Sequence, residues 1–370
     1  MAGGIVRICA LALALGVSTP VIAARVVDPA SARQAISAPA VAARDAGLAA
    51  LAAEGRATEL AARLDLIARD GTLSDVAQEW LLDRGLHALA RLPPSPAARA
   101  TVIRLTARAP TVYTRVDPDH GERATPLYDA GATARFVLRN WERVAAREAA
   151  AAGLAARDPR ITARFAGETS GAARAGTADA FRDAPLGELA AQRHAVVGAL
   201  AEGRRVDALA LIVAERLADP ELFGLLVDYA DEREALAAVA TAPRALDAAS
   251  ALETLARASR RADIASAAVL AAGRLAAHDA AARGFLFETL ADPGTAPSAA
   301  AALGALGDPG VSAEIGRRLA SARTDGERQL LLLALRLDPN PAARTELERF
   351  ARSGMGSPQL QARTRRWLDR

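Results

Sequence analysis

The punctuation of residues 296–339 constrains the chain most. They read APSAAAALGALGDPGVSAEIGRRLASARTDGERQLLLLALRLDP, short Ala- and Leu-rich runs closed by Gly-Asp-Pro and Leu-Asp-Pro. Leu303, Asp308 and Pro309 return thirty residues later as Leu333, Asp338 and Pro339, and Asp-Pro also stands at 219–220 and 292–293. Asp accepts hydrogen bonds from the orphan N–H groups of a helix start and favours its positive end; Pro has its φ already set for the first turn. Each stop is therefore expected to end one helix and begin the next with almost no loop. That spacing fits two antiparallel helices per unit. The expected fold is all-α, an α-solenoid of stacked helix hairpins.

Composition agrees. Hydrophobic residues make up 51% and aromatics only 4%, and Ala and Leu, the strongest helix formers, fill the deficit. An all-β chain would need alternating runs of Val, Ile, Thr and aromatics, and none of useful length occurs. Basic and acidic residues nearly cancel, 46 against 43, and every basic side chain is Arg. The high pI reflects groups that never titrate rather than a large excess of charge. A nucleic-acid binder concentrates basic residues on one face with a clear surplus, which this interspersed pattern lacks.

Residues 1–24 carry the features of a secretory signal. Arg7 supplies the positive start, Ile8–Val17 an apolar stretch, and Val21-Ile22-Ala23-Ala24 small residues for cleavage. The apolar run is shorter than the ~20 residues that span a bilayer; an uncleaved anchor is the alternative. The single cysteine, Cys9, lies inside this stretch, so a processed chain has no disulfide or thiol chemistry. The expected location is outside the cytoplasm, in the periplasm of the cell envelope.

Residues 25–41, rich in Ala, Ser and Pro, read as a flexible lead-in. Residues 42–156 read as a looser helical array interrupted by a long loop at 110–126, PTVYTRVDPDHGERATP. Long loops between short-linked helices are commonly functional or disordered. Residues 157–185, with Asp158-Pro159, GETSG and AGTADAF, read as a linker. From Leu186 to Arg370 the helical pattern is regular, with twelve candidate helices.

The run ALGALGDPGVSAEIGRRL, residues 302–319, resembles the HEAT repeat in its short bacterial, phycobilisome-lyase-like form. The resemblance covers 186–370 well and 45–154 loosely. It implies a curved stack of helix pairs that mostly binds other proteins, with a minority of enzymes and chromophore lyases. The di-iron hydroxylases of this family require several His-Glu dipeptides, and this chain has none.

Candidate chemistry concentrates at 110–147. Asp117, Asp119, His120 and Glu122 offer carboxylates and one imidazole to Ca²⁺, Mn²⁺ or Zn²⁺, but the calcium-loop register fails, without Gly at the sixth position or Glu at the twelfth from Asp117. Ordinary turn chemistry explains the same residues. Tyr113, Tyr128, Phe136 and Trp141 are interface anchors or a local core that staples the loop to the next helix. Arg135, Arg139, Arg143 and Arg147 recur every fourth residue and form one ridge. Such a ridge suits an acidic partner, or it is a solvated face countered by Glu142, Glu148 or a neighbouring helix. His87, His194 and His278 stand alone, and GETSG lacks the Lys and the preceding strand of a phosphate loop.

The leading expectation is a non-enzymatic, exported protein–protein interaction scaffold, with no cofactor, no nucleic-acid partner and a protein or peptide of the envelope as ligand. Its partner-binding residues would be Tyr113, Tyr128, Arg135, Arg139, Arg143 and Arg147. The alternative is a metal-dependent enzyme or metal-binding module centred on residues 117–122. A chaperone-like role without a single ligand is a third reading.

Overall fold

A computed structural model describes residues 25–115 and 124–369. These form twenty helices and three short strands, so the protein is all-helical in character. Two units divide it, 1–141 and 142–370.

In the first unit, β1 (Arg25–Val26) precedes α1 (Pro29–Ile36), α2 (Pro39–Ala53), α3 (Ala57–Ala68), α4 (Asp75–Leu89) and α5 (Pro96–Leu105). Then come β2 (Val112–Arg115), β3 (Ala124–Pro126) and α6 (Ala130–Ala155), whose residues 130–141 belong here. Helix α2 packs on α3 and α4, and α3 on α4 and α5. Their apolar faces, Leu48, Leu60, Leu64, Leu81, Leu82 and Val102 among them, form one core with Val137 and Trp141 of α6. Among the described residues no single helix is long and apolar enough to cross a membrane.

Residues 25–41 are not a flexible lead-in. Arg25 and Val26 pair in parallel with Val112 and Tyr113. Asp28 then caps α1, accepting from Ala30 and Ser31 N–H at 3.0 Å each, and Pro29 fills the first turn. Val27 and Ala32 bury against Val76 and Val112 in a small core of their own. The loop at 110–126 likewise has structured arms: β2 runs antiparallel to β3 with Tyr113 opposite Pro126. A buried carboxylate anchors its base, since Glu79 Oε1 accepts from Thr111 N–H at 2.6 Å and Thr111 Oγ1 at 2.7 Å.

The second unit begins inside α6 and continues through α7 (Arg160–Gly167), α8 (Gly171–Asp183), α9 (Leu186–Ala201), α10 (Asp207–Leu217), α11 (Pro220–Tyr229), α12 (Glu232–Ala245) and α13 (Ala248–Ala258). It closes with α14 (Ala265–Ala276), α15 (Ala280–Thr289), α16 (Ala296–Gly304), α17 (Pro309–Ser321), α18 (Asp325–Leu337), α19 (Pro341–Ser353) and α20 (Pro358–Leu368). The even-numbered helices form an unbroken series: α8 on α10, then α12, α14, α16, α18 and α20, each against the last. The odd-numbered helices pack α7 on α9, α9 on α11, α11 on α13 and α17 on α19. Successive helices also pack on one another from α9 to α16 and from α17 to α20.

Residues 157–185 are therefore no linker. Helices α7 and α8 bury Ile161, Phe165 and Phe181 in the second unit's core, and the division falls earlier, at Trp141–Glu142. Of the glycines that suggest a break, Gly167 and Gly171 have open space around them, but Gly176 serves packing. A Cβ on Gly176 would collide with the Arg143 carbonyl, so glycine is what lets α8 approach α6.

All twelve helices expected beyond Leu186 are present. The Asp-Pro stops work as expected at two places. Asp219 caps α11 through Glu221 and Leu222 N–H at 3.1 and 3.2 Å, and Asp308 caps α17 through Gly310 N–H at 2.7 Å. At the other two the helix starts later. Asp292 turns the chain by accepting from Gly294 N–H at 3.1 Å, and α16 waits until Ala296. Asp338 accepts from Asn340 N–H at 2.8 Å, leaving Asn340 to cap α19. In both places a residue between the Asp-Pro pair and the helix stands at the N-cap position, but only Asn340 accepts a capping bond there, and Thr295 makes none. Pro243 does not end α12, which runs on to Ala245.

The even series depends on small residues. A Cβ on Gly304 of α16 would lie 2.5 Å from the Ala334 carbonyl oxygen of α18, whereas Gly284 of α15 has nothing within 4 Å. Gly304→Ala is expected to cost about 1–3 kcal/mol by overpacking. Gly284→Ala is expected to gain about 0.5–1 kcal/mol from helix propensity. Thermal melts of the two variants should move in opposite directions; the same sign for both would contradict the close approach.

Candidate functional site

The six expected binding residues divide between the two units. Tyr128 belongs to the small core around Val27 and Val112. There burial first, and then the charge of Asp83, push its phenol pKa up. Tyr113 is half-buried on β2. Trp141 is buried in the main core of the first unit and donates its indole N–H to the Leu92 carbonyl at 3.0 Å. Phe136 is exposed, 6.1 Å from the His87 ring. The four aromatics therefore do not make one local core: Tyr128 and Trp141 pack in different clusters and Phe136 is exposed.

Arg135 and Arg139 lie in the first unit, Arg143 and Arg147 in the second. Arg135 donates to the Thr106 carbonyl at 2.8 Å. Arg143 and Arg147 pair with Asp179 and Asp183 of α8 at 2.6 and 2.7 Å. Counter-charge thus comes from a neighbouring helix, four residues apart on each side. Arg139 is exposed, with no ion pair among the described residues. Asp117, Asp119, His120 and Glu122 lie outside the described residues. Among the described residues no group of three His, Cys, Asp or Glu is placed to hold a metal.

In the first unit, polar side chains meet where α4 faces α6. Asp83 accepts from Thr133 Oγ1 at 2.6 Å, and His87 Nδ1 lies 2.9 Å from the Asp83 carbonyl and 3.5 Å from its carboxylate. The order decides what this can do. An activated nucleophile must donate to the imidazole, but Thr133 donates to the carboxylate. The cluster therefore ties α6 to α4. His194 and His278 are exposed.

In the second unit a groove of about 440 Å³ opens where α15, the end of α17 and the start of α18 meet. Phe287 of α15, Leu290 at its C-cap, and Leu330 and Leu331 of α18 line it. The Arg318 guanidinium of α17 lies over the Phe287 ring, 4.2 Å from its centroid. Sequence reading missed this groove, although one signal was present. Residues 330–333 are four consecutive leucines, more than the inward stripe of one amphipathic helix accommodates. Leu331 and Leu332 are buried, and Leu330 and Leu333 stay partly open.

No protein-family model, curated protein or solved structure matches this chain.

The ridge yields a pH test. The hydrogen bond from Arg143 holds the Asp179 carboxyl below the ordinary carboxylate range. A folded-state value below the unfolded ~3.9 contributes stability above about pH 4, which is lost as acid carries the carboxylate through its folded value. Arg143→Ala should move the Asp179 midpoint upward in a carboxyl-carbon NMR titration, while Arg139→Ala leaves it in place. An unmoved midpoint in Arg143→Ala would contradict the pairing.

Proposed function

We propose that the second unit is an α-solenoid of HEAT-like helix hairpins, and that the protein is a non-catalytic, exported scaffold that binds another protein in the cell envelope. The observation that carries this reading is the serial packing from α7 to α20. From α9 to α16 and from α17 to α20 each helix packs on the next, and the even-numbered series continues without a break from α8 to α20. Such packing buries apolar surface between successive repeats and leaves long outer faces free for docking. The repeat motif at 302–319 adds sequence support. Large apolar side chains stay open on the even-numbered helices, with Leu270 of α14 and Leu337 of α18 each 47% exposed.

Export rests on the charge, apolar stretch and small residues of 1–24. These residues lie outside those described.

A photo-crosslinking residue placed at Leu270, and separately at Leu337, in the full chain of living source cells tests the reading. A defined envelope protein should cross-link to one or both positions in the periplasmic fraction, and not to a control probe at exposed Arg69 in the first unit. Chain retained in the cytoplasm, or probes that label nothing above the control, would overturn it.

A further inference from the structure

Resting on the scaffold reading, we infer that the α15–α17–α18 groove is a docking site for an acidic peptide segment carrying an apolar anchor residue. Size and lining come first. A volume of about 440 Å³ lies within the ~300–1,000 Å³ usual for ligand sites, and is walled by Phe287, Leu290, Leu330 and Leu331. An extended or helical segment can insert one large apolar side chain there.

The rim decides the charge of the occupant. Three charged side chains line it: Arg318, Arg323 and Glu327. Glu327 is committed to the chain, because its carboxylate accepts from the Arg323 and Thr324 N–H groups at 2.8 and 3.3 Å and completes the capping box of α18. Its charge answers the positive end of that helix. Arg318 gives only Nε to a carboxylate, Glu314 Oε1 at 2.7 Å, and stacking on Phe287 holds its plane still while its outer N–H groups remain open. Arg323 is exposed, and its side chain has no ion pair or hydrogen bond among the described residues. Two guanidinium groups with open donors therefore border an apolar slot, and the one carboxylate on the rim is already in use. Guanidinium forks match carboxylates.

At the far end of the groove Arg283 of α15 reaches Asp308, the cap of α17, at 3.3 Å. The two helices are thus tethered at one end, and the slot opens at the other.

Fluorescence anisotropy on the full chain tests this with two labelled probes, Ac-Glu-Leu-Glu-Phe-Glu-amide and its counterpart with Lys in place of Glu. The acidic probe should bind at least tenfold more tightly than the basic one and weaken as salt rises. Arg323→Glu should weaken it at least tenfold, as should Leu330→Asp, while Arg260→Glu outside the groove leaves it unchanged. The Arg323 side chain makes no hydrogen bond or ion pair among the described residues and acts on Glu327 only through its charge, so Arg323→Ala should leave the melt nearly in place and should fall between wild type and Arg323→Glu in affinity. Equal affinity for both probes, no binding of the acidic probe at millimolar concentration, or an unchanged affinity in Arg323→Glu would overturn the inference. So would a concentration-dependent dimer that Leu330→Asp abolishes and the acidic probe does not displace, since a second copy would then fill the groove. Failure of the probes with crosslinks at Leu270 or Leu337 intact overturns this inference alone; loss of both removes the scaffold reading as well.

Discussion

The close approach of helices lined with Ala and Gly is the constraint on which the second unit depends. A Cβ on Gly273 of α14 would sit 3.0 Å from the Ala302 side chain of α16, and one on Gly304 would sit 2.5 Å from the Ala334 carbonyl of α18. Ala268, Ala271, Ala272, Ala299, Ala300 and Ala302 are almost fully buried between them. Small side chains bury little area apiece, about 25 cal/mol for each Å². In the proposed solenoid each hairpin draws its stability from neighbours on both sides. The scarcity of aromatics follows, because a large ring between α14, α16 and α18 would force the backbones apart.

Arginine supplies the cross-ties. Arg193 of α9 forks onto Asp219, the cap of α11, and onto Glu221 at 2.5 Å. Arg283 of α15 repeats the gesture on Asp308, the cap of α17. Both link a helix to the start of the helix two places on, and each carboxylate also satisfies backbone N–H groups of that helix. The more open Arg283–Asp308 pair contributes only ~0.2–1 kcal/mol, whereas Asp219 is buried; in both the planar guanidinium fixes direction. Their value lies in register between odd-numbered helices, where small-residue contact is less continuous.

The sequence was most legible where periodicity and capping agree. From Leu186 onward, Asp219, Asp231, Asp247, Asp279 and Asp308 each cap a helix, and apolar spacing marks the buried stripe. It was least legible where one residue type serves two ends. Gly176 and the Gly-rich run around it read as a break, yet the glycine is there because a neighbouring carbonyl occupies the space of its side chain. Residues 25–41 read as disordered because β1 needs a partner, β2, nearly ninety residues away, which local pattern cannot reveal. The Arg ridge was visible as spacing, but its counter-charges, Asp179 and Asp183, lay in the stretch read as linker. The groove was legible only as an excess of leucine in α18; Phe287 and Arg318 join it through tertiary packing alone.

The proposed solenoid, whose repeats would depend on nearest neighbours, should open locally rather than all at once. Native-state hydrogen exchange of wild type and Leu303→Ala, a fully buried position in α16, tests this most directly. The account predicts lost protection in α14 to α18 with α9 to α12 still protected. Equal loss across residues 142–370 would contradict it.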